Sequence, residues 1–372
     1  MQQFRIVPKI SVLDSFKEFH EAFAIGENDL ILTHGFLYEA FMKPLGCKAH
    51  VLFVEKFGTG EPNDEMIDAI THETRGLQFN RVVAIGGGSV VDISKLLALD
   101  LPDRIATLFE GVPAPAKSKE LVIVPTTCGT GSEVTNLSVF EVKAQNLKRG
   151  FGLEQMYADY AVLIPETLKG LPHYVFATSS VDALIHAAES CLSPKANAYT
   201  RLYSLAAFRM LLEGYKIILN EGPQARGRLL ENFAVASNYA GIAFGNAGVG
   251  AVHALSYSIG GAFHVPHGEA NYQFFTQVFK CYKAKDPTGN ITLIDEIIIQ
   301  VLELSNDEDI YSALDTFLGR LIAKKPLKEY GMTTEQIESF TQSTIANQQR
   351  LLVNNYVPLD EDEIRKIFRA LY

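Results

Sequence analysis

The chain has 372 residues, enough for two domains that each bury a core. Hydrophobic residues make up 47% and charged residues 20%, the balance of a soluble globular protein. Asp and Glu outnumber Lys and Arg by 43 to 33 with no basic run, which argues against nucleic acid as a partner.

Five short apolar runs in the first half read as strands: Asp29–Thr33, His50–Val54, Arg81–Ile85, Glu120–Val124 and Ala161–Ile164. They are nearly continuous, as expected where both faces of a sheet are covered. Helical patterns such as Asp64–Arg75 and Ser89–Leu99 lie between them, so a mostly parallel sheet with helices on both sides is expected. From about Leu171 the character changes, and Ser179–Cys191, Ala198–Leu219, Arg226–Phe244, Asn271–Cys281, Ile291–Leu304, Ile310–Ile322, Thr334–Ile345 and Asp362–Leu371 carry helical periodicity. The expected organisation is an α/β domain over residues 1–171 and an all-helical domain over residues 172–372. The acidic stretch Asn306-Asp-Glu-Asp309 reads as a solvated loop or helix start.

Two features bear on location. Ile242–Phe263 has no charged residue and is long enough to cross a bilayer. It carries Gly245, Gly248, Gly250, Gly260 and Gly261 with Asn246, His253 and two serines, and so reads as a tightly packed buried helical segment. Met1-Gln-Gln-Phe-Arg5 lacks the charged-then-apolar layout of a signal peptide, so a cytoplasmic protein is expected. Cys47, Cys128, Cys191 and Cys281 form no CxxC pair, which speaks against a disulfide framework or a thiolate zinc site.

Two loops carry phosphate-binding chemistry. Gly86-Gly87-Gly88-Ser89-Val-Val-Asp92 follows a strand and opens a helix, where backbone N–H groups and the helix dipole favour an anion. A plain strand–helix turn with packing glycines is the competing reading of that segment. Pro125-Thr126-Thr127-Cys128-Gly129-Thr130-Gly131-Ser132-Glu133 follows the next strand, with small hydroxyl side chains suited to phosphate and ribose. Two such loops after consecutive strands would flank one crevice at the strand C-terminal ends. Cys128 is read as a small residue with no catalytic role.

Asp182-Ala-Leu-Ile-His186 places a carboxylate and an imidazole on one helical face. His253 and His267 stand in later, glycine-rich, polar-poor sequence, where an unpaired imidazole would be costly to bury. One carboxylate and three imidazoles suit Fe²⁺, Zn²⁺, Mn²⁺ or Co²⁺. The competing reading is a common helix-surface pair and two separate histidines.

Gly86-Gly-Gly-Ser89, Asp92, the Pro125–Glu133 loop, Asp182-Ala-x-x-His186, His253 and Pro266-His-Gly268 stand in the order found in the iron-containing (group III) alcohol dehydrogenases, which the chain resembles over nearly its whole length. The resemblance implies that Asp182, His186, His253 and His267 hold a divalent metal, Fe²⁺ first and Zn²⁺ as the alternative. It places Gly87, Gly88, Ser89, Asp92, Thr126, Thr127, Thr130, Ser132 and Arg149 around an NAD(P) cofactor. It also implies a homodimer or higher homo-oligomer.

Asn238–Gly250 and Arg350–Tyr356 are most similar to the members that interconvert 4-hydroxybutyrate and succinate semialdehyde with NAD. The implied reaction is hydride transfer from an alcohol activated by the metal's Lewis acidity. Where many relatives have a proton-relaying His, this chain has Tyr257, so the proton is expected to leave by that hydroxyl, a water or the nicotinamide ribose. Where NAD-preferring relatives often carry an Asp after an early strand, this chain has Thr33-His34-Gly35. Arg350, with Asn354 and Asn355, is the candidate receptor for the substrate carboxylate. The alternatives are a group III dehydrogenase acting on another small primary alcohol, diol or lactaldehyde, and a non-catalytic nucleotide-binding protein.

Overall fold

Alternate residues of each central strand feed two different cores, which is why these strands read as unbroken apolar runs. In the computed structural model, which describes residues 3–145, 147–305 and 307–372, Leu30, Leu32, Val82, Ala84, Leu121 and Ile123 enter one core. Ile31, Val83, Ile85, Val122 and Val124 enter the other. The first core is closed by α2 (Asp64–Thr74) and α3 (Gly88–Leu97), through Ile67, Ile70, Val90, Ile93 and Leu96. The second is closed by α1 (Phe16–Ala22), through Phe16 and Phe19.

The sheet has six parallel strands in the order β1-β8-β5-β4-β2-β3, namely Lys9–Val12, Tyr160–Leu163, Glu120–Pro125, Arg81–Gly86, Asp29–Thr33 and His50–Phe53. β6 (Leu137–Val142) and β7 (Leu147–Gly152) form a separate antiparallel hairpin. Three strands, β1, β6 and β7, are absent from the sequence reading. β1 is an edge strand only four residues long and largely exposed, so it lacks the buried pattern of the others. β7 reads Leu-Lys-Arg-Gly-Phe-Gly, too polar and glycine-rich to stand out as a strand. β4 and β5 pair from Arg81↔Glu120 to Gly86↔Pro125, which sets their C-terminal loops side by side.

The chain divides into two compact units, Ile6–Gly170 and Leu171–Tyr372, the second joined by the first residues as far as Arg5. The second unit is helical: α4 (His173–Leu192), α5 (Ala198–Glu221), α6 (Leu230–Ala247), α7 (Ala251–Phe263), α8 (His267–Lys285), α9 (Thr292–Leu302), α10 (Ile310–Gly319), α11 (Thr334–Asn347) and α12 (Glu361–Leu371). α4 is buried on nearly every side from Phe176 to Leu192, so its polar residues need partners inside the protein.

The charge-free stretch 242–263 is not one span. It breaks between α6 and α7, where Gly248 takes a φ of 78° that suits glycine. A side chain at Gly248 would meet the amide of Asn354 at 2.6 Å. No described helix is long and apolar enough to cross a membrane. Of the acidic stretch, Asn306 lies outside the described residues, and Asp309 caps α10 by accepting from the Ser312 N–H.

Candidate active site

The α4 helix carries Asp182 and His186 one turn apart on a buried face. His253 is the third residue of α7, and His267 the first of α8, after Pro266. Gly268 permits the close approach of α8 to α4, because a Cβ there would lie 2.3 Å from the Thr178 carbonyl oxygen. One ligand atom from each of Asp182, His186, His253 and His267 lies within 4.8 Å of all the others. The Asp182 carboxylate is 3.7 Å from His253 Nε2 and 4.0 Å from both His186 Nε2 and His267 Nε2. The His186 ring stacks between Phe244 at 4.3 Å and His253 at 4.7 Å, which fixes its plane.

These groups fit a divalent cation on chemical grounds. His253 Nε2 is buried without a hydrogen-bond partner and points into the cluster, the kind of orphan that a cation would satisfy. Burial pushes the Asp182 carboxyl up, but the imidazoles of His186, His267 and His253 and the Asn271 amide together hold it below its ordinary value. Three of the four side chains are buried, whereas that of His267 is 38% exposed. The cluster is therefore sealed on one side and accessible on the other, as a catalytic metal site requires.

Two supporting residues went unnoticed in the sequence. Asn271 Nδ2 donates to Asp182 Oδ1 at 2.7 Å and lies 3.1 Å from His267 Nε2. Glu189 is buried and its Oε2 lies 2.6 Å from His253 Nδ1. The available signal was spacing: Glu189 falls three residues after His186, and Asn271 four after His267, on the same helical faces.

Tyr257 and Arg350 sit beside this cluster. The Tyr257 ring lies 6.3 Å from that of His267, and its hydroxyl accepts from Arg350 Nη2 at 3.1 Å. Asn354 is occupied differently, since its amide donates to the carbonyls of Val249 and Arg350 and so braces the turn before α7. Asn355 is buried against Gly250.

In the other unit, the loops after β4 and β5 meet. The Thr126 N–H donates to the Gly86 carbonyl at 3.0 Å. A Cβ at Gly87 would come 3.3 Å from the Thr127 methyl, and one at Gly88 3.0 Å from that of Thr130. Gly87 is the N-cap of α3 and offers no side chain to its N-terminal amides, which leaves them for an anion. Ser89 stands half-buried in that first turn.

Asp92 and Ser132 are engaged with each other. The Ser132 hydroxyl donates to Asp92 Oδ1 at 2.7 Å, and the Val139 N–H donates to Oδ2 at 2.9 Å. Beneath them the buried Lys95 donates to Ser132, Thr135 and the Leu137 carbonyl. Burial pushes the Asp92 carboxyl up and the Lys95 amine down; each opposes the other's shift, with Val139 and Ser132 assisting at Asp92 and Glu133 at Lys95. Arg149 lies on β7 with its guanidinium 4.0 Å above the Phe109 ring, while its neighbour Lys148 pairs with Glu61.

The C-terminal model of the Fe-containing alcohol dehydrogenase family matches residues 176–372, and the iron-containing alcohol dehydrogenase model matches residues 7–165. The chain belongs to the iron-containing alcohol dehydrogenase family.

Among members of this family, the 4-hydroxybutyrate dehydrogenase of Clostridium kluyveri is 50% identical over 372 residues, covering all of both chains. Long-chain-alcohol dehydrogenase 1 of Geobacillus thermodenitrificans is 30% identical over 344 residues, covering 90% of this chain and 86% of that one. The sulfoacetaldehyde reductase of Bifidobacterium kashiwanohense, solved with NAD⁺, superposes with a TM-score of 0.85 at 22% identity over all of this chain and 98% of that one, a likeness of fold. The expected fold, an α/β domain with a parallel sheet followed by an all-helical domain, is therefore that of an iron-containing alcohol dehydrogenase.

Proposed function

We propose that this alcohol dehydrogenase interconverts 4-hydroxybutyrate and succinate semialdehyde with NAD. The observation that carries the substrate is the 50% identity, end to end, with an enzyme of that name. Asp182, His186, His253 and His267 would hold the metal, Fe²⁺ or Zn²⁺, which supplies Lewis acidity to the alcohol or aldehyde oxygen. NAD supplies the hydride acceptor.

The protein's own residues do the rest. Phe244 and Asn271 hold His186 and Asp182 in place, so the donor set needs little rearrangement. The amides opening α3, with Gly87, Gly88, Ser89, Thr126, Thr127 and Thr130, receive the dinucleotide phosphates and ribose. Asp92 and Ser132 brace those loops from within, and Arg149 flanks them on the hairpin. Arg350 receives the substrate carboxylate; its Nη2 donates to the hydroxyl of Tyr257, whose ring lies 6.3 Å from that of His267. The proton of the reacting oxygen would leave by the Tyr257 hydroxyl, a water or the nicotinamide ribose.

The protein acts in the cytoplasm as a homodimer or higher homo-oligomer. The edge strand β1 supports that assembly, because among the described residues no strand pairs with its outer side, and Ile10 and Val12 on it and Ile6 and Val7 just before it are exposed.

NADH oxidation by the metal-loaded protein tests the substrate. Succinate semialdehyde should be turned over far better than propanal or lactaldehyde, and activity should vanish with chelator and return with Fe²⁺ or Zn²⁺. A clear preference for propanal rejects the assignment.

A further inference from the structure

We infer that Glu189 is a positioning residue that sets the tautomer of His253 before any metal arrives. The inference rests on the metal-centre reading above and deepens it. Glu189 lies one turn beyond His186 on α4, almost wholly buried, and has no cation beside it among the described residues. Its two oxygens serve α7: Oε1 accepts from the Val252 N–H at 2.7 Å, and Oε2 lies 2.6 Å from His253 Nδ1.

A carboxylate only accepts, so the proton of the short contact belongs to His253 Nδ1. A neutral imidazole protonated at Nδ1 carries its lone pair on Nε2. That atom is buried and has no hydrogen-bond partner, and its 3.7 Å separation from Asp182 Oδ1 is too long for a hydrogen bond that would call for a second proton. Gly250 presses the start of α7 onto Glu189, since a Cβ there would lie 3.3 Å from Oε1 and 2.8 Å from Asn355 Oδ1. The two contacts are therefore held by the packing of α7 against α4.

Glutamine at this position would offer one acceptor and one amino group. With its oxygen claimed by the Val252 N–H, the amino group would face His253 Nδ1 and favour the opposite tautomer, which turns an N–H toward the cluster.

The test uses the full-length, metal-free protein labelled with ¹⁵N-histidine, with the His253 signals assigned by their loss in His253→Asn. The wild type should show a protonated Nδ1 and an unprotonated Nε2. Glu189→Gln should move His253 toward the Nε2–H form and weaken Zn²⁺ binding, read by chelator competition, by about 10- to 100-fold. A wild-type spectrum showing Nε2–H overturns the inference, as does a folded Glu189→Gln protein with unchanged tautomer and unchanged Zn²⁺ affinity. The wild-type spectrum decides the matter even if the variant fails to fold. A protonated Nδ1 in a protein that binds no Zn²⁺ would support the role of Glu189 and reject the metal centre instead.

Discussion

Two single positions concentrate the demands of the site. At Gly268, a methyl group would be driven against the backbone of Thr178, which cannot swing aside as a side chain could. Gly268→Ala should therefore destabilise the protein by about 1–3 kcal/mol, read from the urea midpoint, and displace His267 enough to weaken metal binding. Wild-type stability and metal affinity in that variant would show that α8 does not need the close approach. Arg350 is exposed and, among the described residues, its side chain meets the site through Tyr257, so removing it should not disturb the cluster. A hydrogen bond to a charged group contributes about 1.5–3 kcal/mol, so Arg350→Met should lower kcat/KM for succinate semialdehyde by about 10- to 100-fold and leave propanal nearly unaffected. Equal losses with both aldehydes would remove Arg350 from substrate recognition.

At the scale of elements, the β4 and β5 loops are braced from within by an ion pair on α3 whose two members also bond Ser132 and Thr135 of the loop and Leu137 and Val139 of the hairpin. Lys95 is fully buried, and Asp92 meets it at 3.6 Å. Lys95→Met strands the carboxylate and should cost about 3–5 kcal/mol in urea unfolding, whereas adding Asp92→Leu to it should recover part of that loss. No recovery in the double variant would mean that the pair is not coupled. Elsewhere, Arg365 ties α12 to α11 through Glu338 and holds the Glu338 carboxyl down to about 2, with Gln342 assisting. A carboxyl depressed in the folded state stabilises above its unfolded value of 4.5, and that support is lost as pH falls toward about 2. The Tm difference between wild type and Glu338→Gln should therefore be present near neutral pH and close as the solution is acidified. Because the pair is exposed, added salt should shrink it as well. A difference independent of pH would show that the contact acts through packing alone.

On the function proposed above, the two ligand chemistries belong to different units: the candidate metal donors lie in Leu171–Tyr372 and the candidate phosphate loops in Ile6–Gly170. Hydrogen exchange should respect that division. Zn²⁺ alone should slow exchange in α4, α7 and α8, and NAD⁺ alone in α3 and the 125–135 loop. A metal present at a thousand times its Kd stabilises by about 4 kcal/mol, enough to register clearly. Protection by Zn²⁺ confined to the α/β unit would refute the four-residue centre.

The sequence alone determined the strands that are buried on both faces, because burial on two sides requires continuous apolar residues whatever the neighbours are. It also determined the helical second half, since a 3.6-residue period is a property of the chain itself. Asp182 and His186 were legible as a pair because one helix fixes their separation. Tertiary structure decided what depends on distant residues. Nothing local to β1 marks it as a strand, as its partner β8 is supplied from far along the chain, while β7 is too polar and glycine-rich to stand out beside β6. That His253 and His267 come within reach of Asp182 and His186 on α4 depends on the break at Gly248 and the clearance at Gly268, which set where α7 begins and how closely α8 approaches α4. Glu189 and Asn271 had no legible role until helices far apart in the chain came within hydrogen-bonding distance, because the meaning of a buried polar group lies in its partner.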